Sequence, residues 1–216
     1  SSKPVYLGVP TDVAVARVSA AGLADPIRAR GSEPGALAAF ERALGQRFVG
    51  ETAVTVLAGP RIHRRGVEGR VAALADLPGV RIASQVGSKA VIDEDHPASL
   101  GTYMGAITQT QRARRAVDEA ALLVMVGTVV SDFTTGFFTQ AFDPTAAVEL
   151  ALDHARIGYA VYPEVRLDDA LEVLARVTAT AGFAAAEAID VPDVAAPAPA
   201  ADESPLDHSV FWHELQ

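Results

Sequence analysis

Residues 87–106, GSKAVIDEDHPASLGTYMGA, gather the side chains of this sequence that are best suited to chemistry. The run Asp93–His96 places three carboxylates and an imidazole in consecutive positions, between Lys89 and a proline. Two carboxylates act as acid and base when a pocket separates their pKa values. A histidine beside carboxylates can bind a metal ion. The segment is therefore a candidate active site, a candidate metal site or a structural turn.

The spacing of these residues favours the structural turn. Loops that bind hard cations place their ligands at alternate positions around a supporting glycine, and DEDHP lacks that spacing. Zinc would need a second histidine or a cysteine close to His96, whereas His63 and His154 lie far away in the sequence. We interpret the run as a turn held by Pro97, in which carboxylates accept hydrogen bonds from neighbouring backbone amides. A stand-alone enzyme that uses Asp93, Glu94 and His96 stays an alternative, and it would require these side chains to converge in a cleft.

Composition bounds the class of protein. Of the 216 residues, 50% are hydrophobic and 21% are charged, as in a soluble globular protein. The chain contains no cysteine, which excludes disulfides, thiolate nucleophiles and cysteine metal sites. No signal peptide and no apolar run long enough to span a bilayer is visible, so we expect a cytoplasmic protein without a membrane partner. The net charge is −9 and no basic face is indicated, so a nucleic-acid partner is not expected.

Apolar runs alternate with helical patterns along the chain, which predicts a mainly parallel sheet with helices on both faces. Helices are predicted at 33–48, 66–77, 111–120 and 167–182, the last capped by Asp168 or Asp169. Strands are predicted at 4–13, 53–59, 79–85 and 121–127, with weaker candidates at 146–152 and 157–163.

Two of the predicted strands end at a glycine that precedes a polar segment, in LAGPRIHRRG and MVGTVVSDFTTG. Such a glycine can allow a phosphate to approach a helix N-terminus. Neither segment has a glycine-rich nucleotide fingerprint. An alternative function is therefore a regulatory domain that binds a nucleotide or a 2-oxo acid in these loops. Its candidate anion- or ligand-binding residues are Gly59, Arg61, Arg64, Gly127, Ser131, Asp132 and Thr134, with Arg65 as a further candidate for binding the anion.

Taken together, the segments resemble the central domain of thiamine-diphosphate-dependent 2-oxo acid decarboxylases, the pyruvate/indolepyruvate decarboxylase family. VTVLAGPRIHRRG is similar to the first strand and turn of that domain, and LLVMVGTVVSDFTTGFFT to a later strand and turn. Residues 87–106 resemble the family's Gly-Lys-x-x-Ile-Asp-Glu-x-His-Pro segment and the Gly-x-Tyr-x-Gly that follows it. One departure is Ser88, which stands between Gly87 and Lys89.

The resemblance implies a Rossmann-like three-layer α/β/α fold with a mainly parallel sheet of about six strands. It also implies a division of the chain into five parts. These are the tail of a pyrimidine-binding domain (1–13), a linker (14–34), the central domain (35–188), an Ala/Pro linker (189–205) and the start of a pyrophosphate-binding domain (206–216).

Thiamine diphosphate and Mg²⁺ are the cofactors that the resemblance implies for the full-length protein. In the family they are held by a catalytic Glu and a paired-His motif in one flanking domain, and by a Gly-Asp-Gly and Asn-Asn motif in the other. This chain has no His-His, no Gly-Asp-Gly and no asparagine. We therefore expect no catalytic, cofactor-binding or metal-binding residue within it.

The implied function is that of a non-catalytic, structural or regulatory domain. The full-length protein would decarboxylate a 2-oxo acid, such as pyruvate, phenylpyruvate or indolepyruvate, to an aldehyde. The missing pyrimidine and pyrophosphate domains would be its partners, within a homo-oligomer (a dimer or a tetramer). The segment from Lys89 to Tyr103 would connect across the sheet edge, with Asp93, Glu94 and His96 fixing its turns or contacting neighbouring domains. A pure assembly module is a further alternative.

Overall fold

The computed structural model describes residues 5–25 and 30–185. The predicted linker 189–205 and the predicted start of a further domain at 206–216 lie outside these ranges. The helices are α1 (Thr11–Ala14), α2 (Pro34–Phe48), α3 (Arg61–Arg65), α4 (Glu68–Ala75), α5 (Gln111–Asp118) and α6 (Leu167–Ala181). The strands are β1 (Val54–Ala58), β2 (Val80–Ser84), β3 (Ser99–Thr102), β4 (Leu123–Val126), β5 (Val148–Leu150), β6 (His154–Ile157) and β7 (Ala160–Pro163).

The strands form one sheet in the order β3-β2-β1-β4-β5-β6-β7. Its first five strands are parallel, and β6 and β7 are each antiparallel to the preceding strand. The predicted α/β class and Rossmann-like three-layer arrangement are confirmed. The sheet has seven strands rather than about six. The single strand predicted at 157–163 is instead the end of β6, a turn at Gly158 (φ 59°) and β7.

Alternation along β1 divides the core between the two faces of the sheet. Val56 belongs to the face that is covered by α2, α4 and α6, where it joins Leu44 and Leu171. Leu57 points to the opposite face and joins Val117 of α5. Because side chains alternate along a strand, a continuous apolar run buries residues on both faces, as the predicted parallel sheet requires.

The strand predicted at 4–13 is wrong. Thr11–Ala14 form one helical turn, and every described residue from 5 to 25 is exposed. A strand satisfies its backbone N–H and C=O groups on a neighbouring strand, and within the described ranges the sheet offers no such partner to this segment.

Ser32 fixes the point at which the chain enters the domain. Its backbone N–H donates to Oδ2 of Asp169 (2.9 Å), and its hydroxyl accepts from the N–H of Arg166 (2.7 Å). Glu33 N donates to the carbonyl of Glu164 (3.2 Å). The hydrogen bond to the Ser32 side chain is the main cause of a pKa of Asp169 below its ordinary value. Residues 32–33 are thus clamped to the turn that precedes α6.

The carboxylates at the start of α6 bind partners other than the helix itself, so the predicted cap is wrong. Arg166 is the residue at the N-cap position, and no side chain caps this terminus. Asp168 pairs with Arg65 of α3, while Asp169 holds Ser32. These contacts with distant parts of the chain replace the local hydrogen bond that was expected.

The described chain enters the domain at the carboxyl ends of the parallel strands, and its last described residues lie at their amino ends. Two antiparallel steps make β7 parallel to β5, so β7 ends at the carboxyl edge of the parallel strands, beside the Ser32 clamp. After α6 the chain reaches Phe183, whose ring stacks on Phe48 at 5.7 Å and packs on Gly79, just before β2. That contact lies at the amino edge. Within the described residues no helix has both the length and the apolar character needed to cross a membrane.

Candidate functional site

The carboxyl edge of the parallel strands is where doubly wound α/β domains bind ligands. Gly59 follows β1, Gln85 follows β2, and Gly127 follows β4, so the turns meet at this edge. The adjacent β1 and β4 lead to opposite sides of the sheet order, which makes the gap between them the switch point.

Direct backbone contact closes that gap. Gly59 N donates to the carbonyl of Val126 (2.8 Å), and Arg61 N donates to that of Gly127 (3.1 Å). A Cβ atom at Gly59 would lie closer to Cα of Thr128 than carbon atoms approach one another in folded proteins. Glycine is therefore needed here for the close approach of two main chains rather than for the approach of a phosphate.

The predicted anion-binding arginines point to different parts of the molecule. The Arg61 guanidinium donates to the carbonyl of Thr128 (2.9 Å). Arg64 is exposed on α3, and Arg65 pairs with Asp168 of α6. The side chains do not converge on one point, and a regulatory ligand in these loops stays a prediction.

The loop that follows β4 is held by its own hydroxyl groups. Thr134 Oγ1 donates to the carbonyl of Val129 (2.5 Å) and accepts from the N–H of Ser131 (3.0 Å). Thr135 Oγ1 donates to the carbonyl of Ser131 (2.6 Å). Asp132 Oδ1 accepts from the next N–H, that of Phe133 (2.7 Å). The predicted ligand residues of this loop therefore bind one another and fix the backbone of the loop.

Three consecutive residues of this loop have left-handed backbone conformations: Gly136 (φ 59°), Phe137 (φ 63°) and Phe138 (φ 61°). For a residue other than glycine this conformation costs about 1–2 kcal/mol. Hydrogen bonds from Phe137 N to the carbonyl of Asp132 (2.6 Å) and from Phe138 N to Oγ1 of Thr135 (3.0 Å) hold it. Apart from Gly136, no residue of this segment has a type that predicts a left-handed backbone.

A second turn, residues 104–108, packs against the same loop. Ala106 N donates to Oγ1 of Thr139 (2.8 Å). A Cβ atom at Gly105 would overlap the carbonyl oxygen of Thr135, and one at Gly136 would lie 3.0 Å from Cγ1 of Ile107. The glycines of both turns therefore allow the two backbones to touch.

The acidic run forms the predicted turn. Asp93 Oδ1 accepts from the N–H of Asp95 (3.0 Å), which confirms that a carboxylate binds a neighbouring amide. His96 Nδ1 accepts from Ala98 N (3.1 Å), and its Nε2 lies 3.3 Å from Oδ1 of Asp76. The described residues include no group of three or more His, Asp or Glu side chains placed to hold a metal ion.

The connection from Lys89 to Tyr103 contains β3, an edge strand that was not predicted. Beside it lies a cavity of about 390 Å³. Glu94 lines this cavity, whereas Asp93 and His96 bind the turn and Asp76. The cavity is lined by Val86, Lys89, Glu94, Gly101, Thr102, Met104, Ile107, Thr108, Gln109 and Thr110.

Tyr103, at the end of the same connection, ties three elements together. Its fully buried hydroxyl donates to Oδ1 of Asp118 on α5 (2.5 Å), and that oxygen also accepts from Ala141 N (3.0 Å). Desolvation, followed by the bond to Asp118, raises the pKa of Tyr103 far above its ordinary value. This contact fixes β3, α5 and the segment after the strained loop relative to one another.

Comparison with known proteins assigns the domain to a class. Residues 43–177 match the family described as "Thiamine pyrophosphate enzyme, central domain", and the chain belongs to this family.

Among curated proteins, the chain is 30% identical over 214 residues to an alpha-keto-acid decarboxylase of Mycobacterium ulcerans. The alignment covers 99% of this chain and 37% of that protein. The corresponding protein of Mycolicibacterium paratuberculosis is 30% identical over 213 residues, with 99% and 38% covered. The chain thus spans little more than a third of the length of these relatives. Among solved structures, benzoylformate decarboxylase from Polynucleobacter necessarius aligns with a TM-score of 0.43 and 15% identity, covering 79% of this chain and 30% of that one.

The described residues do not fit thiamine diphosphate. A metal–diphosphate site needs several oxygen ligands around one cation, together with donors that are available to the phosphates. At the carboxyl edge, the amide of Arg61 and the guanidinium of the same residue bind the backbone after β4. Ser131 and Thr134 bind each other. We therefore derive no cofactor chemistry from this chain.

Proposed function

We propose that this chain is the non-catalytic central domain of a thiamine-diphosphate-dependent 2-oxo acid decarboxylase. Flanking domains of the full-length protein would hold thiamine diphosphate and Mg²⁺. The reaction would convert a 2-oxo acid to an aldehyde and CO₂, and the cofactor, when bound, supplies the electron sink for the carboxylate carbon. The family match and the names of the relatives support the class of enzyme.

The closed switch point is the observation that carries the non-catalytic role. Ligands of doubly wound sheets bind at this position, and here Gly59 packs directly on the backbone of Gly127 and Thr128. The polar groups around it form hydrogen bonds within the chain. The domain provides a rigid connection between its two ends. These are the Ser32 clamp, at the carboxyl ends of the parallel strands, and Phe183, at their amino ends.

Three finer features belong to the same proposal. We propose a cytoplasmic location for the full-length protein, in line with the absence of cysteine from this chain. We propose Mg²⁺ as the metal that accompanies the diphosphate. We also propose a dimer or a tetramer as the assembly. The location, the metal and the assembly are proposed without assigning a role to any particular side chain of this chain.

Calorimetric titration with thiamine diphosphate and Mg²⁺ tests the proposal, with this chain and the full-length protein measured side by side. We expect saturable binding to the full-length protein and no heat of binding with this chain alone. A panel of 2-oxo acids, assayed for CO₂ and aldehyde with the full-length protein, then tests the reaction. Stoichiometric binding to this chain, or full-length protein that releases no CO₂ from any 2-oxo acid, would contradict the proposal.

A further inference from the structure

The loop after β4 and the turn at residues 104–108 expose a cluster of large apolar side chains, which we name the aromatic patch. Single exposed hydrophobic residues are common, but a contiguous group marks an interaction surface. Four members belong to one loop, and the fifth, Ile107, lies against that loop at Gly136. Its members, with their exposed fractions, are Val130 (46%), Phe133 (61%), Phe137 (75%), Phe138 (62%) and Ile107 (52%).

The backbone of the aromatic patch is strained at Phe137 and Phe138, whose rings are both exposed. Phe137 and Phe138 both have φ near +60°, a conformation that bulky residues rarely adopt. Hydrogen bonds to Asp132 and Thr135 hold it, and the adjacent turn is fixed by Thr139. Strain that is maintained by the surrounding structure is typical of functional positions.

We propose that the aromatic patch seats the domain that precedes this chain segment in the full-length protein. The inference rests on the proposed function, because it requires that this is one domain of a longer enzyme. It adds to that function the surface by which the central domain holds one particular neighbour. The proposal commits to the preceding domain rather than to the following domain or to a second copy.

The path of the chain identifies this occupant. The chain enters the domain at the Ser32 clamp, beside the carboxyl end of β7, and the patch follows the carboxyl end of β4. Both points therefore lie at the same edge of the sheet, three strands or about 14 Å apart. The chain leaves at Phe183, at the opposite edge. The described chain therefore enters the domain at the same ends of the strands as the patch, whereas its last described residues lie at the opposite ends.

The described part of the incoming segment also requires a partner. Tyr6, Leu7, Val15 and Leu23 are each at least 80% exposed, and no described residue from 5 to 25 is buried. More than half of the length of the relatives lies outside the region that this chain matches, so there is enough protein to cover both the segment and the patch.

The cavity beside the patch gives the neighbour a place to anchor. Met104 and Ile107 supply an apolar wall, and Lys89 and Glu94 supply opposite charges. A central pocket that accepts a side chain, surrounded by apolar contacts, is the usual arrangement at the strongest points of an interface.

Hydrogen–deuterium exchange of the full-length protein tests the surface. The double variant Phe137→Asn/Phe138→Asn removes the two rings, while asparagine tolerates the left-handed backbone. Tyr159→Asn is the matched control, because Tyr159 is an aromatic residue that is 90% exposed, at the tip of the β6–β7 hairpin. We expect exchange in peptides of the preceding domain that face the patch to become about 10- to 100-fold faster in the double variant and to stay unchanged in the control.

Core peptides that contain Val56 and Val124 show whether a variant is folded, and Phe133→Ser gives a second test at a residue without positive φ. Unchanged protection of the preceding domain in both folded variants would overturn the proposal. A change confined to the following domain, or a fall in oligomeric mass with the preceding domain still protected, would also overturn it. The readout does not depend on the cofactor. Full-length protein that fails to bind thiamine diphosphate, yet shows the expected exchange, would refute the proposed function and support the docking surface.

Discussion

The side-chain amide of Gln85 pairs with the backbone of Val129. Gln85 Nε2 donates to the carbonyl of Val129 (2.9 Å), and Val129 N donates to Oε1 of Gln85 (3.0 Å). Gln85 is 1% exposed, so both bonds lie away from water. The pair joins the end of β2 to the loop after β4 across the intervening β1. One side chain therefore replaces the backbone partners that this loop would have in a sheet.

Replacement of Gln85 by alanine is expected to lower the free energy of unfolding by about 1–3 kcal/mol. The change leaves the N–H of Val129 without its partner, while the carbonyl of Val129 keeps the hydrogen bond from Thr134. Chemical denaturation measures the effect. Gln46→Ala, on the exposed face of α2, is the control and should change stability by no more than about 0.5 kcal/mol. Equal effects of the two substitutions would show that the pair is unimportant.

Gly59→Ala should be among the most damaging single-methyl changes in the chain. The added Cβ would overlap the backbone of Gly127 and Thr128, which cannot move without disturbing β4. We expect a loss of at least about 3 kcal/mol, or failure to fold. Gly45→Ala is the matched control, because it lies within α2 with open space around its Cα. It should instead stabilise the domain by about 0.5–1 kcal/mol. Thermal and chemical unfolding of the pair would reveal the opposite signs.

The buried hydroxyl of Tyr103 should make stability depend on pH in the alkaline range. Its folded pKa is raised, so its contribution is complete below the unfolded value near 10 and is lost as pH rises above that value. Tyr103→Phe should cost about 1–3 kcal/mol at pH 7 through the lost bond to Asp118. The difference from the unmodified protein should narrow above pH about 10. Tyr159→Phe, on an exposed ring, is the control, and a pH-independent difference for Tyr103→Phe would contradict the assignment.

The clamp at Ser32 should weaken in acid. The pKa of Asp169 is lowered, so its stabilising effect is present above the unfolded value near 3.9 and is lost as pH falls through the lower folded value. Asp169→Ala should lower the free energy of unfolding by about 0.5–1.5 kcal/mol at pH 7 and by less at pH 3. Glu172→Ala, on the same helix, removes an exposed ion pair with Arg70 and should have a smaller effect. A deficit in Asp169→Ala that is the same at both pH values would argue against the carboxylate.

Periodicity predicted the elements that bury a full face. The helix at 33–48 and the strands at 53–59 and 121–127 correspond to α2, β1 and β4, because each has a long apolar pattern that only one packing satisfies. β3 was not predicted, because its sequence SLGT is short and contains glycine. Its strand conformation depends on pairing with β2. The strand predicted at 157–163 covers β7 and only the last residue of β6, because HARI has no apolar run and its strand conformation depends on pairing with β5.

At the candidate site, the sequence predicted the position of the two glycines at the strand ends but not how they pack. Gly59 and Gly127 both lie at the ends of strands, as predicted. Whether such a glycine admits a phosphate or another backbone depends on the separation of β1 and β4, which no local pattern records. The left-handed conformations of Phe137 and Phe138 were likewise not predicted, because hydrogen bonds to Asp132 and Thr135 in the same loop impose them against the preference of a bulky residue.

The 15 residues of α6 determine the distance between the two ends of the domain. At about 1.5 Å per residue they span about 22 Å, and this length separates the Ser32 clamp from Phe183. A full helical turn inserted into α6 would move Phe183 by about 5 Å along the helix, away from Phe48 and Gly79. The length of α6 is therefore matched to the distance between the Ser32 clamp and the stacked pair of Phe48 and Phe183, and a helix one turn longer or shorter would lose one of these two contacts.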